Sequence, residues 1–211
     1  ESVLMGITMV ISVILALGIF MVLPFFLTNL MKGFLPYYSI RTLIEGIIRV
    51  ALFLIYIWLI SKMEDIKRVF MYHGAEHKTI NCLEHGEDLT PENIKKYSRL
   101  HKRCGTSFLL IVMIVSIVVF MFIRVDSLVW KFVLRILLVP VVAGISYEFI
   151  RLAGRSDSKI VNTLSKPGLY LQYFTTREPD EEMMEVAIKA VEGVFDWREY
   201  LRAMHNGELE D

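Results

Sequence analysis

Residues 2–31 carry no charge, and residues 3–30 are almost unbroken Val, Ile, Leu, Met and Phe, with Pro24 near the end. Roughly 20 such residues cross the hydrocarbon of a bilayer, so this run reads as a first transmembrane span. A helix that is apolar all round leaves no face for water, which rules out an ordinary surface helix. The rest of the chain agrees: 55% hydrophobic residues, a mean hydropathy of +0.49 and zero formal charge describe an integral membrane protein rather than a soluble domain. With no continuous basic stripe, nucleic-acid binding is excluded as a function class. The run is too long for a secretory signal and lacks a basic leader and a small-residue cleavage site. A chain that opens on Glu1 is expected to be a mature or trimmed form.

Three further apolar segments follow, at about 42–61, 106–123 and 128–152. The second carries Glu45 and Arg49, four apart on one helix face and able to pair. The fourth is interrupted by Lys131, Arg135 and Pro140, and Glu148 near its end either snorkels to the interface or points inward. The expected fold is therefore an all-α integral membrane protein with four transmembrane helices, a cytoplasmic helical loop and a helical C-terminal tail. Its expected divisions are a membrane domain at 1–152, including the loop at 62–105, and a cytoplasmic or interfacial tail at 153–211. The loop between the second and third spans holds nine Lys and Arg and the tail eight, against two and three in the other connections. Basic residues mark cytoplasmic segments, so loop, tail and N-terminus are expected inside, with Cys82 and Cys104 on the reducing side. No inverted repeat and no span rich in paired ionisable groups is visible, which disfavours a transporter.

In the tail, an apolar and aromatic stretch around Pro167 and Gly168 suits a helix at the membrane surface or returning into it. A new helix is expected to start within 176–180, with Pro179 in its first turn and Asp180, Glu181 and Glu182 at the positive end of its dipole. Met184, Ala187, Ile188, Val191, Val194 and Phe195 then recur at helical spacing, a stripe for packing on the cytoplasmic face or for docking a partner.

Four of the five histidines and both cysteines fall between His73 and Cys104. Ile66, Val69, Phe70, His73, His77 and Ile80 recur at three and four, so both histidines lie on the apolar face of one helix. His73-Gly-Ala-Glu76-His77 matches H-x-x-E-H, the reversed metallopeptidase signature, in which two imidazoles hold a metal and the carboxylate assists a metal-bound water. Residues 90–103 read as a second helix, with Thr90 as cap, Pro91 at its first position and Glu92 in its first turn. His101 and Cys104, three apart, can face one point, and His73, His77, His101 and Cys104 make a good zinc sphere, with a Glu able to replace one of them. Hydrogen-bonded interior histidines, with Glu76 paired to Lys78 or Arg103, would give the same pattern without a metal. Cys82 reads as a packed thiol, and His85 and His205 as polar surface. The basic run Lys95, Lys96, Arg99, Lys102 and Arg103 suits anionic lipid headgroups or a phosphate-bearing substrate.

RVFMYHGAEHKTI, HKRCGTSF, LVPVVAGISYE and PGLYLQYFTTREPD, in that order, resemble the YqhQ-like family of bacterial membrane proteins, a family of unknown function described as predicted metal-dependent enzymes. The resemblance covers residues 49–190 or so. It implies a bacterial cytoplasmic (inner) membrane location with multiple spans, directs attention to His73, Glu76, His77, His101, Arg103, Cys104, Glu148, Arg177 and Glu178, and implies a further N-terminal segment with a Gly-rich, Glu-containing motif that this sequence lacks. The resulting expectation is a divalent-metal protein, zinc first, with His73, His77 and one or both of His101 and Cys104 as ligands. Glu76 would be the general base, and Arg103 or Arg177 would steady an anionic intermediate or headgroup. Its partners would be membrane lipids, a lipid-linked or peptide substrate to be hydrolysed, and a protein bound through the C-terminal helix. The alternative is a non-enzymatic membrane scaffold with a structural metal site.

Overall fold

A computed structural model describes residues 2–35, 37–125, 127–156 and 158–208, and every regular element among them is helical. Three stretches are long and apolar enough to cross a bilayer, Val3–Gly33, Tyr38–Ile60 and Gly105–Phe122. A fourth results if Val129–Leu137 and Val139–Arg155, bent by 40°, are one span. The all-α class and the apolar spans are as expected, and they indicate a membrane protein. The chain divides into two compact units, residues 1–56 with 108–155, and residues 57–107 with 156–211.

The first unit contains α1 (Ser2–Leu17), α2 (Leu23–Leu30), most of α3 (Tyr38–Ile60) and of α6 (Gly105–Phe122), then α7 (Leu128–Leu137) and α8 (Val139–Arg155). Apolar side chains on every side of α1 are exposed, Val3, Met9 and Ile14 among them, a surface suited to lipid rather than water. Between α1 and α2 the helix loosens into a π turn at Gly18–Val22. Pro24 causes part of this, because it cannot donate to the Phe20 carbonyl one turn back and its ring crowds that oxygen. The Phe20 carbonyl accepts instead from Arg49 Nε at 3.0 Å. Pro140 acts similarly at the break between α7 and α8, because without an N–H it cannot donate to the Ile136 carbonyl one turn back. The Glu45–Arg49 pair forms at 3.1 Å, and Glu148 lies exposed, 2.9 Å from Arg151.

The second unit is built on α4 (Glu64–Glu84), whose first turn holds Glu64 and Asp65 against the helix dipole. It stops at Gly86, where φ is +76° and the amides of Gly86 and Glu87 bond back to the carbonyls of Leu83 and Cys82, a reversal that favours glycine. Thr90 caps α5 (Pro91–Ile94), accepting from the Asn93 amide at 3.3 Å. The expected helix over 90–103 ends there, after one turn. Residues 95–104 are irregular because their carbonyls are taken by side chains of α4. Lys78 Nζ donates to Lys95 O at 3.1 Å, His77 to Arg99 O at 2.7 Å, and Asn81 Nδ2 to Ser98 O and Leu100 O at 2.7 and 3.1 Å. Those bonds satisfy the groups that a helix would otherwise have to pair.

The tail folds with this loop. After α9 (Lys159–Thr175), Asp180 caps α10 (Glu181–Glu192) by accepting from the Met183 amide at 2.9 Å, and α11 (Trp197–Asn206) follows. Met183 and Met184 join Ala75, Cys82, Leu83, Leu89, Ile94, Trp197 and Leu201 in one apolar core, with Ala187, Ile188 and Val191 packed on it. The expected stripe on α10 thus reaches the core through Val191, whereas Val194 is exposed.

The crossing of the tail over α4 is close. Arg177 N donates to Phe70 O at 2.8 Å, and a Cβ on Gly74 would collide with the Arg177 carbonyl. Backbone cannot swing aside as a side-chain tip can. Gly74→Ala is therefore expected to destabilise this unit by about 1–3 kcal/mol, measured as a lower unfolding midpoint. Gly105→Ala, where the added methyl meets open space, should leave that midpoint unchanged.

Candidate metal centre

His73 and His77 stand one turn apart on α4, with ring centroids 4.3 Å apart, and Cys104 follows the irregular loop to meet them. One ligand atom from each of the three lies within 4.8 Å of the others. His73 is half-buried, and His77 and Cys104 are buried.

What prepares the site is the use of the far ring nitrogens. His73 Nδ1 lies 2.8 Å from Thr175 O and His77 Nδ1 lies 2.7 Å from Arg99 O. A carbonyl only accepts, so both Nδ1 atoms carry hydrogen and both rings present Nε2 toward the cysteine. Metal-binding histidines are oriented by this kind of outer bond. Cys104 Sγ is 3.4 Å from His73 Nε2 and also accepts from the Thr106 amide at 3.4 Å. Zinc bonds of about 2.0 Å to nitrogen and 2.3 Å to sulfur at a tetrahedral angle would set N and S about 3.5 Å apart. The His73–Cys104 separation is close to that figure, and the trio could hold a metal ion.

The electrostatics point the same way. Burial by itself would raise the Cys104 thiol, but hydrogen bonding with His73 and His77, the His77 charge and the Thr106 amide bring it down to about 5. Burial works against the charged form of His73, yet its bonds to Cys104 and to the Thr175 carbonyl, with the charges of Cys104 and Glu76, raise it above the ordinary histidine value. A thiolate is the form that ligates a metal. Cys82 is the contrast: fully buried in the apolar core, it is pushed up to about 11 by burial and by Glu87.

His101 does not join the trio. Its Nδ1 accepts from the Arg103 amide at 3.2 Å, so Nε2 carries the hydrogen, and that nitrogen lies 3.2 Å from Glu84. It has no free lone pair to offer. Arg103 bonds the same Glu84; although burial favours its neutral form, His101 and Arg103 keep Glu84 below the usual carboxylate range. Glu76 is exposed on α4 beside the trio. Lys78 and Arg99 both reach Glu178, at 2.9 and 3.5 Å, and Arg177 Nη2 reaches Ser61 O at 3.4 Å. His85 is exposed and bonded to its own helix at Asn81 O.

Gln172 is a site residue that no sequence signal singles out. Fully buried on α9, it accepts from His101 N and donates to His101 O, both at 2.8 Å, and to Ser107 Oγ at 2.7 Å. It holds the segment that delivers Cys104. Thr176 works beside it, taking Arg99 Nη1 on its carbonyl and, at 2.9 Å, on its hydroxyl. A glutamine or threonine in an aromatic run carries no periodic or charge signal; only its burial and partners reveal the role.

A family profile described as "Protein of unknown function (DUF1385)" matches residues 1–197. The chain belongs to this family. Its relative in Bacillus subtilis (strain 168), "Uncharacterized protein YqhQ", is 41% identical over 182 residues, which are 86% of this chain and 57% of that protein. The chain therefore spans little more than half the length of this curated relative. The resemblance carried by the four motifs is borne out, and the family description names no metal, substrate or reaction. No solved structure matches the chain.

In metal-free protein Cys104 is expected to titrate near pH 5 against an ordinary value of 9.0. Its folded value is the lower one, so its contribution to stability is complete only above pH 9 and disappears as the pH falls through about 5. Thiolate ultraviolet absorbance in a Cys82→Ser background should vanish with that midpoint on acidification, and Cys104→Ser should abolish it. A midpoint near the ordinary thiol value would contradict the assignment.

Proposed function

We propose that His73, His77 and Cys104 hold a divalent cation, zinc first, and that the protein is a metal-dependent hydrolase of the bacterial cytoplasmic membrane. The observation that carries the reading is the pair of Nδ1–carbonyl bonds, which aim two Nε2 lone pairs at a buried, acidified thiol. Three protein ligands are the pattern of a catalytic site, four that of a closed structural one. When bound, such a cation supplies Lewis acidity and a reactive water at neutral pH.

The chain's own residues then take distinct parts. Glu76, exposed on the same helical turn as the two ligands, is the general base. Arg103, half-exposed against Glu84, steadies an anionic group, assisted by Arg177, whose buried Nε has no hydrogen-bond partner. Gln172 and Thr176 position the loop and touch neither cation nor substrate. The apolar span α6 begins one residue after Cys104, which supports chemistry at a membrane boundary. A lipid-linked or membrane-peptide substrate suits that place. The topology follows the basic residues, with four spans and both termini cytoplasmic, and α10 and α11 are the surface for a protein partner.

The alternative, a scaffold with a structural metal, needs a fourth protein ligand. His101 is the nearest candidate, and both of its ring nitrogens are engaged.

Purified wild-type protein should contain stoichiometric metal by elemental analysis. His73→Ala, His77→Ala and Cys104→Ala should lose it, whereas His101→Ala and Glu76→Gln should keep it. In a strain lacking the gene, Glu76→Gln should fail to complement despite normal metal content. Full complementation by Glu76→Gln would refute the hydrolase, and wild type free of metal would refute the site.

A further inference from the structure

The first unit buries a charge cluster that the proposed hydrolase does not use. Glu45, 2% exposed, is 2.5 Å from Arg135, 3.1 Å from Arg49 and 3.4 Å from Lys131. One carboxylate faces three cations, and the excess positive charge lies within segments apolar enough to span a bilayer. Cationic side chains inside a membrane region are costly unless paired, and they mark ligand sites. Lys131 over the rings of Phe25 and Tyr38, and Arg135 over that of Phe120, recover part of the cost. They do not neutralise the cluster. The other described carboxylate of this unit, Glu148, is exposed and paired with Arg151.

Two cavities share this cluster. One of about 200 Å³ is lined by Lys32, Arg41 and Lys131, with Glu45 and the hydroxyl-bearing Thr28 and Tyr38. Arg41 Nε is cut off from solvent there and has no hydrogen-bond partner, and an orphan buried donor calls for an acceptor. The second cavity, of about 370 Å³, is lined by Arg49 and Arg135 together with apolar side chains such as Leu17, Met21, Val112 and Met113. Polar and cationic on one side of the ion cluster and apolar on the other, the pair matches an amphipathic anion.

We propose that the cavity of Lys32, Arg41 and Lys131 binds a phosphate-bearing anion, and the adjoining apolar cavity makes a membrane lipid its carrier, with the phosphoryl oxygens on the cations and a chain beside Leu17 and Met21. Lys131 is the hinge of the arrangement, since it lines the cavity while bonding Glu45. Free phosphate offers the same oxygens to the same cations, but without a chain it leaves the apolar cavity empty. The inference is independent of the metal centre.

The test is native mass spectrometry of the intact protein released from detergent micelles, titrated separately with phosphatidylglycerol, phosphatidylcholine and inorganic phosphate. The expected result is preferential retention of phosphatidylglycerol, weakened about tenfold by Arg41→Gln, as follows from losing one charge-assisted hydrogen bond. Arg151→Gln, outside the cavity, should bind as wild type. If Arg41→Gln fails to fold, Lys32→Gln, on an exposed residue, should show the same loss. Phosphate binding that is weakened by these substitutions, without lipid preference, would keep the phosphoryl site and assign it a soluble ligand. Equal retention of both lipids with no phosphate binding, or unchanged binding by the folded variants, would overturn the proposal.

Discussion

Two hydrogen bonds from imidazole to backbone organise the candidate centre. The Nδ1–H groups of His73 and His77 reach carbonyls of Thr175 and Arg99, in segments that are neighbours of neither histidine in sequence. Each bond acts on structure and chemistry together. It pins a distant segment to α4, and it fixes a tautomer that leaves Nε2 free. Gly74 is needed because the segment after Thr175 passes so close to α4 that a side chain there would meet the Arg177 carbonyl. Gln172 closes the arrangement by bonding both backbone groups of His101, three residues before the cysteine.

Charge is handled differently in the two units. In the second, cations are spread over several carboxylates and carbonyls: Lys78 on Glu178 and Lys95 O, Arg103 on Glu84, Arg99 on Thr176 and Glu178. The buried Lys78 ammonium is thereby paired, which low-polarity surroundings require. In the first, Glu45 is asked to balance three cations at once. The first pattern holds a site in place, whereas the second leaves electrostatic attraction to spare for an anion.

Local signals were legible in the sequence, and non-local ones were not. The apolar runs gave the spans because bilayer thickness alone sets their length. The three- and four-residue spacing put His73 and His77 on one inward face, and Cys104 was a reasonable third ligand by chemistry. The Glu45–Arg49 pair was readable for the same reason, being one turn apart, but Lys131 and Arg135 join it from 86 and 90 residues away. The helix expected over 90–103 stops after one turn: Thr90, Pro91 and Glu92 do start a helix, but the carbonyls beyond it are captured by Lys78, Asn81 and His77. His101 and Cys104 consequently do not share a helical face, and His101 turns to Glu84. The π turn at Gly18–Val22 was not legible, because nothing in the unbroken apolar run around it changes period.

The central claim is the coordination by two imidazoles and one thiolate, and X-ray absorption at the zinc edge of the purified, metal-loaded protein tests it most directly. The account predicts one sulfur at about 2.3 Å and two imidazole nitrogens at about 2.0–2.1 Å, with one light-atom position that no side chain fills. A third imidazole would close the sphere with His101, and a spectrum without sulfur would remove Cys104; either would contradict the centre described here.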